Sequence, residues 1–395
     1  MRCMAGEVRV SGEEGTAANA APLSPRILFL FSLTCALAVA NVYSAQPLLA
    51  SMAESLDVLP GSMGAVITAT QTGYAVGLIF LVPLGDRVNR KTLVIVQLML
   101  SVLALTAAAL AANFTMLLGA MLLVGLMAVV AQLMVAWAAT LAAPELRGKV
   151  VGSVTSGIVL GILFARFVSG AIADLAGWRA VYLTAACLLL LISLTLARVM
   201  PATTTATARM SYLSLLLSVF RLFITEPQLR KRGILALMIF AAFSMLWTSM
   251  VMPLSAMSLS HTQTGMFGLA GVAGLWADRG IGQRATGLAL ALLTLSWLPV
   301  GLLEIALGWL VLGIIMLDFA VQTVHVINQS LIIAARPDAA SRLVGAYMCF
   351  YSLGSALGAI AATQLYALWG WHAVCYAGAL VSACAFLFWL GSRHS

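Results

Sequence analysis

Charge is what this chain has least of: 9% of its 395 residues are Asp, Glu, Lys or Arg, while 62% are hydrophobic. Soluble domains carry about 25% charged residues, so a mean hydropathy of +1.05 makes lipid the expected solvent. The cysteines supply no framework either. Cys3, Cys35, Cys187, Cys349, Cys375 and Cys384 show no CxxC spacing and five of them lie in apolar runs, so neither disulfides nor a metal centre is expected. The sequence has no GxxxxGK[ST] loop and no histidine and carboxylate cluster with metal spacing. These absences argue against direct use of ATP and disfavour a membrane-embedded enzyme, and no cofactor is expected. Residues 1–24 lack the basic start and apolar centre of a signal peptide and contain Glu7, Glu13 and Glu14, which predicts a disordered cytoplasmic tail.

What the chain has instead is a series of apolar runs. Crossing a bilayer takes a helix of about 20 apolar residues, because lipid cannot satisfy free backbone groups. Six runs fall at roughly 27–49, 62–85, 92–112, 115–141, 149–171 and 179–197, and six more at roughly 233–255, 262–277, 285–303, 307–332, 343–366 and 372–391. Of the 21 Lys and Arg, only Arg166 falls inside a run and only Arg179 on one side of the membrane; the other 19 fall on the opposite side. Basic loops stay on the side from which the chain is inserted, so that side, with both termini, is expected to be cytoplasmic. Orientation and anionic headgroups account for the net charge of +8, and nucleic acid is not an expected partner. Pro201, Arg209, Arg221, Arg230, Lys231 and Arg232 mark a cytoplasmic linker whose segment Tyr212–Ile224 suits a helix lying in the interface. The expected organisation is a tail over 1–24, a six-helix bundle over 25–198, a linker over 199–231 and a second bundle over 232–395.

The two bundles repeat in sequence. At an offset of 193, Pro144 matches Pro337, Glu145 matches Asp338, Gly152 matches Gly345, Gly161 matches Gly354, and Gly177 and Trp178 match Gly370 and Trp371. Parallel six-helix repeats are a known secondary-transporter architecture. The loop after the second run reads Val82, Pro83, Leu84, Gly85, Asp86, Arg87, Val88, Asn89, Arg90, Lys91, and Asp278, Arg279, Gly280 and Arg284 form a degenerate copy after the eighth.

With the Pro144, Glu145, Arg147, Gly148 loop, these residues resemble the major facilitator superfamily over 25–395, and the Asn41 to Pro47 segment is similar to its bacterial drug and sugar efflux branch. The resemblance implies an all-α membrane protein with twelve transmembrane helices in two pseudo-symmetric six-helix bundles. It also implies a place in the bacterial inner membrane and export of a small organic solute in exchange for protons, by alternating access. A monomer is the expected unit. In the family the loop acid helps to latch the bundles in one state, a role that falls here on Asp86, backed by Arg87, Arg90 and Lys91, with Asp278 and Arg279 in the second copy. An acid at the cytoplasmic end of a helix opposes the helix dipole and needs such cations. Against the family pattern GxLxDRxGRR, Val82 and Asn89 replace glycines. Val82 is expected to loosen close packing where the halves meet, while Asn89 is a mild change, because asparagine tolerates the left-handed conformation that a helix end needs.

The tenth run is the most polar. Asp318, Gln322, His325 and Gln329 follow at spacings of four, three and four and so share one helix face, flanked by Asn328. Asp318 near the midplane and His325 deeper toward the cytoplasm are the candidates for carrying a proton. A satisfied polar seam between helices would use the same residues, and His325 alone fits that seam better. Arg166 is expected to face a cavity or a partner, since an unpaired charge in lipid costs about 3 kcal/mol or more. Asn41, Gln46, Gln71, Tyr74 and Gln132 in the first bundle, and Gln322 and Trp247 in the second, complete the candidate substrate cavity, with Trp247 as an aromatic wall. Helix four carries Met121 where many drug and proton antiporters have arginine. Gly157, Gly161, Ala165 and Ser169, matched on helix eleven by Gly354, Gly358 and Ala362, mark close helix packing and not ligand contact.

Helix eight is unusually short. Between His261 and Asp278 there are 16 residues without charge, against 28 between Asp57 and Asp86. Sixteen residues make about 24 Å of helix where the apolar core measures about 30 Å. The repeat offset moves from 201 at Gly64 and Gly265 to 192 at Asp86 and Asp278, a deficit of about nine residues. The alternative to a transporter is therefore a membrane protein descended from one and defective in transport.

Overall fold

The computed structural model describes residues 24–142, 146–200, 211–270, 283–335 and 340–392, and among them regular structure is helical. The first repeat supplies α1 (Pro25–Tyr43), α2 (Leu49–Ser55), α3 (Gly64–Phe80), α4 (Arg90–Ala109), α5 (Phe114–Ala128), α6 (Val130–Leu141), α7 (Arg147–Ala176) and α8 (Trp178–Val199). A connecting helix α9 (Tyr212–Thr225) leads to α10 (Pro227–Ser249), α11 (Val251–Ala256), α12 (His261–Ala270), α13 (Gln283–Leu295), α14 (Trp297–Gly301), α15 (Leu307–Ala335) and α16 (Ala340–Ser392). Nine stretches among the described residues are long and apolar enough to cross a membrane. The last of them is two helices of α16 meeting at Gly370, where the backbone leaves the helical region.

Local sequence sets the helix starts. Ser24 accepts from the Ile27 amide and is followed by Pro25 at the first helical position; Asn113 accepts from the Met116 amide at 2.9 Å. Both satisfy amides that a helix leaves free. Asn89 does the same for α4, accepting from the Thr92 amide at 3.3 Å with φ −57°. The backbone there is not left-handed, and asparagine stands in the glycine's place as an N-cap.

The repeat is visible in the backbone. Among the described residues four have positive φ: Asp57, Gly177, Ser258 and Gly370. Ser258 stands 201 residues after Asp57, the offset of Gly64 and Gly265, and Gly370 stands 193 after Gly177. Helix contacts follow the same two offsets. Gly161 of α7 packs on the backbone of Ala36, and Gly354 of α16 on that of Leu237. Between the repeats, Gly64 of α3 meets the backbone of Ala359 and Ile360 while Gly265 of α12 meets that of Arg166 and Phe167. These are equivalent crossings, α3 on α16 and α12 on α7, related by an approximate two-fold axis. At each, a side chain on the glycine would collide with backbone, so only glycine permits the approach.

Both crossings lie toward the end of the bundle that carries Arg179, and polar contacts fasten them there. Thr68 Oγ1 donates to the Ala356 carbonyl at 2.8 Å and Gln364 Nε2 to the Gly61 carbonyl at 3.0 Å. Asp174, near the end of α7, accepts from the His261 amide at 2.9 Å, the Thr262 amide at 2.7 Å and Thr262 Oγ1 at 2.5 Å, and thereby caps α12.

The described part of α12 keeps the register of α3, so the drop in offset falls between Gly265 and Gly354. The remainder of the expected eighth helix, with Asp278 and Arg279, lies outside the described residues. If α12 continues through the bilayer, cysteines introduced singly at Ser260 and Arg284 in a background without the native six will be labelled from opposite faces by an impermeant maleimide. Labelling of both from one face would show that the helix does not cross.

Candidate functional site

Beside the crossing of α12 on α7, four predicted residues come together. Arg166 of α7 is 2% exposed, Gln46 4%, Trp247 1% and Asp318 6%. Arg166 Nε donates to Gln46 Oε1 at 2.6 Å. Its guanidinium lies over the Trp247 ring, 3.8 Å from the centroid, with Tyr43 at 5.2 Å and Phe243 at 5.6 Å. At the edge of the same ring, Trp247 Nε1 donates to Asp318 Oδ1 at 3.1 Å. Gln46 and Trp247 stand 201 residues apart and so occupy equivalent places in the two repeats. Arg166 occupies the place equivalent to Ala359, so one of the two related crossings carries a charge and its counterpart does not.

A buried cation this deep needs compensation. Aromatic faces contribute about 2 kcal/mol when desolvated, and the Gln46 bond holds the fork in place. Asp318 stands within electrostatic reach of Arg166 but forms no direct ion pair with it. The indole touches both acid and base. Nη2 of Arg166 is buried without an acceptor among the described residues. Beside it is a small cavity with room for about one water molecule in this conformation, lined by the polar Gln46, Arg166 and Thr264 and by Pro47, Trp247, Met250 and Val251.

The remaining predicted residues fall into separate groups. Gln132 Nε2 donates to the Tyr74 hydroxyl at 3.2 Å, Gln71 is buried with Oε1 unpaired, and Asn41 is buried in α1. His325 lies 3.0 Å from the Tyr347 hydroxyl through Nδ1 and 3.3 Å from Gln329 Nε2 through Nε2, with the Phe240 ring edge-on. With Gln329 donating to Nε2, Nδ1 carries the hydrogen and donates to Tyr347. That is a satisfied polar seam. Gln322 is half-buried and joins none of these bonds among the described residues. In the loop before α4, Arg90 donates to the Gly85 carbonyl at 3.2 Å and to Thr140 Oγ1 at 2.7 Å, and Lys91 to the Met200 carbonyl. Arg87 is exposed, and the Asp86 side chain lies outside the description.

Sequence reasoning missed three participants. Tyr43 and Tyr351 join their hydroxyls across the repeats, and Arg232 is 7% exposed and donates to Asn328 Oδ1 at 3.3 Å. Arg232 reads as the last charge of a basic linker, and only the length of α10, which begins at Pro227, places it inside. Tyr43 lies within the Asn41 to Pro47 segment three residues before Gln46, a spacing that could have flagged it.

Comparison with known proteins accords with this architecture. A profile of the Major Facilitator Superfamily matches residues 31–274. The chain is 41% identical over 383 residues to the "Uncharacterized transporter YgaY" of Escherichia coli O157:H7, covering 94% of this chain and 97% of that one. It is 30% identical over 357 residues to the "Probable transporter SCO4007" of Streptomyces coelicolor, covering 88% and 83%. Among solved structures, a bacterial homologue of the human lysosomal transporter Spinster, inward-facing and occupied, superposes with a TM-score of 0.75 at 14% identity, covering 93% of this chain and 96% of that one. The fold, the repeat, the family match and the transporter relatives agree: the chain belongs to the Major Facilitator Superfamily and is a membrane transporter of that type.

Proposed function

We propose that the protein is a proton-coupled secondary transporter of a small organic solute, that residues 25–198 and 232–395 rock against each other as a monomer in a bacterial inner membrane, and that Arg166, Gln46 and Trp247 meet the solute. The Arg179 end is the outer one, closed in this conformation, and both termini are cytoplasmic. Asp318 exchanges the proton. The Asn41 to Pro47 resemblance supports efflux as the direction, and the Asp86 loop is the cytoplasmic latch. The observation that carries this reading is the cluster of Gln46, Arg166, Trp247 and Asp318. It spans the junction of the repeats beside a cavity, so rocking must alter it.

Asp318 suits the proton role because its one fixed partner is a donor, Trp247, which a neutral carboxyl also accepts. Either protonation state therefore keeps the bond, and the protein need not rearrange locally for the proton to leave. His325, already engaged on both nitrogens, is less free to do this.

Reconstitution in liposomes tests the reading. With a pH-sensitive dye inside and a panel of small organic solutes outside or inside, at least one solute should change the rate of proton flux. Flux that no solute alters would refute proton coupling.

A further inference from the structure

We infer that Arg166 is an anion-recognition site, and that the solute carries a carboxylate or a comparable small anionic group which docks on the free edge of its guanidinium. The inference rests on the reading of this cavity as the transport site and names the class of solute.

The argument starts from what Arg166 lacks. A guanidinium has five N–H donors in a fixed fork and is always charged. Here Nε is the nitrogen with an acceptor, Gln46 Oε1 at 2.6 Å, and the flat face is covered by Trp247 at 3.8 Å. The outer edge, with Nη2 buried and unpaired, finds no protein acceptor among the described residues. Leaving such a donor unsatisfied costs about 1–3 kcal/mol, more for a charged group, and native proteins keep few of them. Asp318 does not fill the need, since its carboxylate accepts from the indole N–H of Trp247 and makes no hydrogen bond to the guanidinium. A two-oxygen anion in the plane of the fork would fill it, because carboxylate and guanidinium match as parallel bonds.

The rest of the cavity supports the same class. Gln46 and Thr264 place an amide and a hydroxyl beside the guanidinium, while Pro47, Met250, Val251 and the Trp247 ring form an apolar wall. This lining selects a solute with one anionic end and one apolar end. A cationic drug does not fit the charge.

The test compares acids with their neutral amides. Thermal stability of the purified full chain in detergent is measured against acetate, lactate and benzoate, each beside acetamide, lactamide and benzamide. At least one acid should raise the melting temperature where its amide does not. Arg166→Gln should weaken that effect at least tenfold in concentration, and Arg166→Lys, which keeps the charge but loses the fork, should retain part of it. Equal shifts from acid and amide, an undiminished shift in Arg166→Gln, or no acid-specific shift across the panel would each overturn the inference. Should Arg166→Gln fail to fold, Arg166→Lys decides, an unchanged acid response there counting against the fork. In liposomes, proton flux driven only by neutral solutes would remove the anion and leave the transporter reading intact.

Discussion

Asp318→Asn should abolish proton-driven transport, with a loss of at least about a hundredfold in solute-dependent proton flux, while leaving the protein folded. The size follows from the role: a group that must bind and release the proton cannot be replaced by one that does neither. Folding should survive because asparagine keeps an oxygen to accept from Trp247 Nε1, the one hydrogen bond the Asp318 side chain makes among the described residues. Its packing volume is also nearly unchanged. Solute exchange between equal concentrations, which needs no net proton movement, should persist in the variant. Proton flux of normal size from Asp318→Asn liposomes would take the proton away from this residue.

Gly64→Ala should hold the Arg179 end open, and Gly265→Ala, its counterpart in the other repeat, should do the same. At Gly64 a methyl group meets the backbone of Ala359 and Ile360, and at Gly265 that of Arg166 and Phe167. Backbone cannot move aside as a flexible side chain can. Overpacking of this kind costs about 1–3 kcal/mol, and the cost falls only on the conformation in which the repeats touch. That converts into a shift of about 5- to 150-fold in the ratio of closed to open forms. Alanine is otherwise the better helix former, so the substitutions should not weaken the helices themselves. Melting temperatures near the parent value with a changed open fraction would match this account. An unchanged open fraction would mean that the crossings do not limit closure.

Much of the architecture was legible because lipid imposes simple rules on sequence. Helix positions follow from apolar length, and the repeat from matched pairs such as Gly177 and Gly370, which share a positive φ. Arg166 and Asp318 stood out as charges where charge is costly. The link between them was not legible. That Trp247 touches both depends on how α7, α10 and α15 pack, which no spacing along the chain encodes. Tyr43 and Tyr351 meet across 308 residues for the same reason. The capping role of Asn89 was not legible from a comparison with a glycine pattern, since the local backbone uses the side chain as a cap. His325 shares its face with Asp318 in sequence yet spends both ring nitrogens on neighbours.

Spin labels at Leu59 and Trp369, 78% and 69% exposed near the two sides of the α3 and α16 crossing, provide the most direct measurement of alternating access. Distances between them in liposomes should fall into two populations, a short one corresponding to the closed crossing and a longer one that grows in Gly64→Ala. A single distance, unmoved by solute, by pH or by that substitution, would contradict the rocking of one repeat against the other.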